Sequence, residues 1–290
     1  MSDTALAALL GLSTALCGGL GTFTGQRLTG RLGWLRAVWL AQAIGLPLVT
    51  AAALLLHGPP PADPAVLHAL GLGLVNVFSV VALYRAFAAG ALSIVAPVAS
   101  SYAAVTLVLA SLAGDTPAPP LALGLVAVIA GVAVVAAAHG SAGADEPRPR
   151  AAGLVWAVLS SMSLGAVFFW LEPVSAALGP VWPVALMRAS GAAALGLLRL
   201  LRPPPAPHGR VPFGLLAACV LLDTGGLLLY ARGVGLGGAA LVAVLASLSS
   251  VIAVALAHRR LHEQLSAGQW IGVVLVLAGT VWISARLHLA

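Results

Sequence analysis

Two ionisable residues stand deep inside apolar runs of this sequence: Arg188 in VWPVALMRASGAAALG and Asp223 in LAACVLLDTGGLLLYA. Counting helical rise from the segment ends puts Arg188 about 12 Å and Asp223 about 15 Å from the same face. A charge at the centre of a bilayer costs at least about 2.5–3.5 kcal/mol, so such groups pair, touch a substrate or carry protons. Asp223 could bind a substrate amine or hold a proton, and Arg188 could bind a carboxylate. On adjacent antiparallel helices at matching depth they could also pair as a structural staple. The same count brings Thr14, Cys17, Gln42 and Asn76 to mid-depth, with Ser100, Ser101 and Tyr102 beside them. Ser160, Ser163, Ser247, Ser249 and Ser250 follow later in the chain. Hydroxyls in membrane helices often bond back to a carbonyl one turn earlier or simply let helices approach, so each serine alone says less than the charges do. Tyr102, Phe168 and Trp170 could form an aromatic wall for an apolar or cationic substrate. The candidate substrate-binding or coupling set is therefore Arg188, Asp223, Asn76, Gln42, Tyr102, Ser101, Ser249, Ser250, Ser163 and Trp170.

Other chemistry lacks its residues. There is no HExxH, no Gly-x-Ser-x-Gly, no paired intramembrane aspartate and no cofactor motif, so nothing points to an enzyme or a bound cofactor. Cys17 and Cys219 lie in apolar segments and read as small core residues. His258, Arg259, Arg260 and His262 read as a solvated cap, because no carboxylate or thiolate keeps them company as a metal site would require. Trp34, Trp39, Trp182, Tyr84 and Tyr230 sit near segment ends and read as interface anchors.

The elements that must position these residues are membrane helices. Hydrophobic residues make up 61% of the 290, charged residues only 8%, and the mean hydropathy is +1.06. A soluble domain carries roughly 25% charged residues, so the main solvent of this fold is lipid. The net charge of +6 comes from dispersed arginines without a single lysine, which argues for loops that set orientation and against a nucleic-acid partner. The Ala- and Arg-rich, Lys-free usage hints at a bacterial source. Runs of about 20 apolar residues predict ten spans: 4–24, 33–56, 64–88, 91–112, 119–138, 151–171, 180–201, 211–233, 237–257 and 266–285. The first lacks a basic leader and reads as a span, not a cleaved signal.

The chain also repeats itself, at a shift of 146 to 148 residues. Gly19 meets Gly165, Leu32-Gly33 meets Leu178-Gly179, Gly45 meets Gly191, Gly124 meets Gly272 and Ala130-Gly131 meets Ala278-Gly279. Polar residues pair likewise: Thr14 with Ser160, Gln42 with Arg188, Asn76 with Asp223 and Ser101 with Ser249. The organisation is a first repeat over 1–138, a connecting loop over 139–150 and a second repeat over 151–290. Five spans is an odd number, so the two copies must lie inverted in the membrane. Loops on one face carry Arg27, Arg31, Arg36, Arg85, Arg148, Arg150, Arg199, Arg202, Arg210, Arg259 and Arg260; the other face has Arg232 and Arg286. The positive-inside rule puts the Arg-rich face in the cytoplasm and both termini outside. Inverted repeats around a midplane site point to a secondary transporter. Spans 5 and 10 hold almost nothing polar at mid-depth and are expected to pack peripherally, leaving the other eight around the polar centre.

The stretch ALYRAFAAGALSIVAPV (82–98) and the end of the chain from VLASLSSVIAVALAHRRLHEQ through AGQWIGVVLVLAGTVWI (244–283) resemble EamA-type members of the drug/metabolite transporter superfamily. In that family each half ends with an acidic residue and then a Gly-spaced final span. Glu263, Gln269, Gly272 and Gly279 fit the second copy, and Gly124 and Gly131 the first. Asp115 and His262-Glu263-Gln264 depart from the Gly-Glu-Arg-like turn of the family, at the membrane edge. The resemblance implies an all-α integral membrane fold of ten transmembrane helices in two inverted five-helix repeats, and export of small metabolites, amino acids or drugs across the cell membrane. Family members are usually drawn with both termini in the cytoplasm; the arginine distribution argues the opposite here. The expected partners are a small-molecule substrate and membrane lipids, with proton coupling through Asp223. A lipid flippase or scramblase of the same architecture is the alternative; oligomeric state is left open.

Overall fold

Leu, Ala and Val dominate nearly every segment, and a backbone in lipid must satisfy its own hydrogen bonds, so the described residues fold almost entirely as helices. The structure, a computed structural model, describes residues 3–113, 119–140, 149–201, 212–233, 245–246, 248–261 and 266–286. Its main helices are α1 (Asp3–Leu32), α2 (Trp34–His57), α3 (Ala65–Ala89), α4 (Leu92–Ala99), α5 (Tyr102–Leu112) and α6 (Pro119–Gly140). They continue with α7 (Pro149–Leu178), α8 (Trp182–Leu201), α9 (Phe213–Gly233), α10 (Ser249–Leu261) and α11 (Ala267–Arg286). No strand occurs among the described residues. Five helical stretches among them are long and apolar enough to cross a membrane: Trp34–His57, Ala65–Ala89, Ala152–Leu171, Trp182–Leu201 and Phe213–Tyr230. The outward faces are as apolar as the core, with Leu55, Leu67, Val126, Ile129 and Ile271 all exposed. That is the pattern of a multi-pass membrane protein.

Three of the expected spans differ in extent. The first continues to Leu32 and the sixth to Leu178, well past 24 and 171. At 30 residues each these helices measure about 45 Å, against roughly 30 Å of hydrocarbon. Both stop at a glycine with φ 75°, Gly33 and Gly179, a backbone state open mainly to glycine. The fourth expected span, 91–112, is two helices. The Pro97 ring removes a helical donor, and the hydroxyls of Ser100 and Ser101 donate to the carbonyls of Pro97 (2.9 Å) and Val98 (2.7 Å). The Ser101 amide then turns to Val98 at 3.2 Å, a tighter i→i−3 bond, and the α-helical ladder is broken at 100–101. The ninth expected span, 237–257, falls partly on residues outside those described; its latter part is α10.

Small residues set which helices touch. A Cβ placed on Gly131 of α6 would stand 2.7 Å from the Gly272 carbonyl of α11, and one on Gly279 would stand 2.7 Å from the Gly124 carbonyl. The start of one helix thus lies against the end of the other, backbone on backbone. A Cβ built on Gly19 of α1 would stand 2.6 Å from Ile252 and 2.8 Å from the Ser249 carbonyl on α10, and one on Gly165 of α7 would stand 2.5 Å from Val105 and 2.7 Å from the Tyr102 carbonyl on α5. Further extensive contacts join α3 to α7 and α8, α1 to α9, and α2 to α8 and α9. The largest buried cluster lies toward one end, from Leu28 and Trp34 through Tyr84, Phe87 and Leu92 to Cys219 and Ala257. There the Arg85 guanidinium is held between the Trp34 and Trp156 rings, at 4.4 and 4.6 Å from their centroids, and Arg199 covers Trp39 at 4.1 Å.

Candidate functional site

Asp223 is the central residue of α9, and Arg188 lies two turns inside α8. The structure brings them together: Arg188 Nη2 donates to Asp223 Oδ2. Nη1 of the same guanidinium points at Thr224 Oγ1, 3.4 Å away. It fits because α2 offers no side chain there. A Cβ on Gly45 would overlap Nη1 and come within 3.2 Å of Thr224 Oγ1. Three helices, α2, α8 and α9, therefore build one charged node at mid-depth. Charge-assisted hydrogen bonds of this kind offset the desolvation of the guanidinium.

The two charges differ in surroundings. The Arg188 side chain is 9% exposed, that of Asp223 56%. Asp223 lies on the same stripe of α9 as the buried Cys219, Val220 and Gly226, while Leu221 on the opposite side is 61% exposed. Asp223 thus lies on the side of α9 that faces the other helices. Gln42 shares a face of α2 with Gly45, one turn away. It is only 6% exposed, and its Oε1 meets no donor. Asn76 is half-buried at the middle of α3, and no hydrogen bond among the described residues links it to Arg188 or Asp223.

The remaining candidates divide. Tyr102 stacks on Phe168 with ring centroids 5.0 Å apart and planes 25° from parallel, so two members of the expected aromatic wall do meet. Trp170 is not with them. Two residues on from Phe168 along α7 it points to the other side, edge-on to Phe169 at 5.3 Å and 58% exposed. Ser101 is buried and bonds Ser161 Oγ at 3.0 Å. Ser163 Oγ donates to Leu159 O at 2.8 Å within its own helix, the structural use of a membrane serine. Ser250 is buried. Ser249 lies where α1 comes closest, with its Cβ 3.0 Å from a Cβ built on Gly18. Thr14 Oγ1 bonds Leu10 O at 2.8 Å and reaches Gly226 O on α9 at 3.5 Å, while Ser160 meets Ser79 Oγ at 3.3 Å.

Sequence reasoning overlooked several partners. Thr224 follows Asp223 directly and was legible as its neighbour; Gly45 was visible as the repeat mate of Gly191, but not as the recess for a guanidinium. Tyr84, expected at the interface, is buried, with its hydroxyl 3.6 Å from Cys219 Sγ. Trp182 is buried too, its indole donating to the Gly58 carbonyl at 3.2 Å. His258 packs edge-on against Trp270 at 6.3 Å.

No curated protein matches the chain. Among solved structures, a crystal structure described only as that of a protein superposes with a TM-score of 0.63 at 20% identity, covering 98% of this chain and 99% of its own. That likeness supports the fold alone. A family model carries more: it points to a membrane transporter rather than an enzyme. The second half of the chain, residues 151–285, matches the EamA-like transporter family, consistent with the drug/metabolite transporter superfamily that the sequence resembles.

Proposed function

We propose that this protein is a secondary transporter that carries a small metabolite, amino acid or drug outward across a bacterial cell membrane by alternating access around the Arg188–Asp223 node. The observation that carries the reading is the mid-depth charge pair with an open carboxylate on a protein-facing stripe. A purely structural staple has no need to leave one partner half exposed. Carriers of this kind bind at the membrane midplane between repeats.

The contacts also support two inverted repeats of five spans, 1–138 and 151–290. Gly33 and Gly179 share one repeat position and one φ of 75°. Gly19 touches Ser249 and Ile252 as Gly165 touches Tyr102 and Val105, at a shift of about 147 throughout. Thr14 reaches Gly226 as Ser160 reaches Ser79. The antiparallel α6–α11 contact, Gly131 on Gly272 and Gly279 on Gly124, maps onto itself under the same shift. The antiparallel crossing of the repeat mates α6 and α11 favours an inverted copy, since a copy in the same orientation would leave mates parallel. With the Arg-rich loops inside, both termini lie outside, and a C-terminal alkaline phosphatase fusion is expected to be active while a fluorescent cytoplasmic reporter stays dark.

The test of function is a charge-swap experiment in proteoliposomes, using compounds that stabilise the purified protein. Asp223→Asn should abolish proton-driven flux. The double variant Arg188→Asp with Asp223→Arg should recover more exchange than Arg188→Gln. Unchanged driven flux in Asp223→Asn would sink proton coupling through this residue.

A further inference from the structure

We infer that the site takes an organic cation, an ammonium-bearing substrate whose charged head sits on the Asp223 carboxylate; this rests on the carrier reading above. The argument starts from what is already used at the node. The Arg188 side chain is 9% exposed, with Nη2 committed to Asp223, Nη1 aimed at Thr224, and the guanidinium seated in the recess left by Gly45. To bind a carboxylate, it would have to leave that recess and abandon Asp223 unpaired at mid-depth, which is costly.

The capacity left exposed is of the opposite kind. A carboxylate has about four lone-pair sites, and Arg188 Nη2 engages one oxygen of Asp223, Oδ2, on a side chain that stays 56% exposed. The group beside the guanidinium that has room for a ligand is thus an acceptor, the Asp223 carboxylate. A ligand with N–H donors and a positive charge satisfies it; an anion meets repulsion from this exposed carboxylate, while the guanidinium that would attract it is buried.

The experiment uses the full chain purified in lipid nanodiscs and follows its melting temperature against a matched panel. Alkyl and arylalkyl amines of increasing size are paired with the carboxylate and the alcohol of the same carbon skeleton. The expected result is stabilisation by at least one amine, half-maximal at a concentration at least tenfold below those of its carboxylate and alcohol. That preference should persist in Asp223→Glu, which keeps the charge, and vanish in Asp223→Asn. Should the asparagine variant not fold, the wild-type amine-to-alcohol ratio decides alone. Equal or stronger stabilisation by a carboxylate, or no stabilisation by any amine, overturns the cation assignment. A carboxylate effect lost in Arg188→Gln would do so while leaving a midplane carrier intact. If, in addition, position 223 proves closed to aqueous reagents from both faces, the carrier reading falls with it.

Discussion

At the scale of single residues, a buried guanidinium can be kept in a membrane only if a neighbouring helix makes room for it. Gly45 is that room, since any Cβ there would overlap Arg188 Nη1. Gly45→Ala should therefore destabilise the protein by about 1–3 kcal/mol, the usual toll of overpacking, and should weaken ligand binding at the node. Gly71→Ala, at a position with nothing within 4 Å of a built Cβ, is the control and should leave the unfolding temperature unchanged. Thermal unfolding in detergent reads both. Arg188 and Asp223 were legible as a pair from depth alone, because charges are rare and their rise along a helix can be counted. Gly45 and Thr224 were not, because a recess and a second acceptor depend on helix rotation, which periodicity leaves undefined in segments apolar on every side. Tyr84 and Trp182 were misread for a related reason. Position near a span end says how deep a ring lies, not whether it faces lipid or a neighbour, and both face neighbours.

Helices carry a second set of lessons. The turns at Gly33 and Gly179, the long α1 and α7 and the break at Ser100–Ser101 all depend on backbone chemistry that hydropathy smooths over. Pro97 and the paired serines were a visible warning in the sequence; the apolar run around them outweighed it. Both hydroxyls bond back to carbonyls of the preceding turn, and Ser101 Oγ also meets Ser161 Oγ of α7, which ties the break to a neighbouring helix. The expectation that spans 5 and 10 stand apart agrees with the extensive contact between α6 and α11. That contact rests on backbones meeting at Gly131 and Gly279, where dispersion and close approach replace a hydrophobic driving force that lipid does not supply. Gly131→Leu or Gly279→Leu should push α6 from α11 and lower the unfolding temperature by several degrees. The same change at Gly30, open on all sides, should not. An equal response at all three positions would mean that the pair contributes no more than any surface.

Across the whole molecule, the buried aromatic and arginine-capped cluster lies toward one end, and the charged node lies at mid-depth. In a carrier these features are related: one end is sealed while the centre is reachable from the other, and the seal alternates. On the carrier reading proposed above, the Arg85 guanidinium between Trp34 and Trp156 serves as that closure, at about 0.5–2 kcal/mol per cation–π contact. The measurement that tests this account most directly is thiol accessibility at position 223. Cys17 and Cys219, the two native cysteines, are replaced by serine and alanine, and Asp223→Cys is introduced. A membrane-impermeant cationic thiol reagent is then applied to right-side-out and to inverted vesicles. Alternating access around this node predicts labelling from both faces. Labelling from neither face, or from one face whatever gradient is imposed, would contradict it.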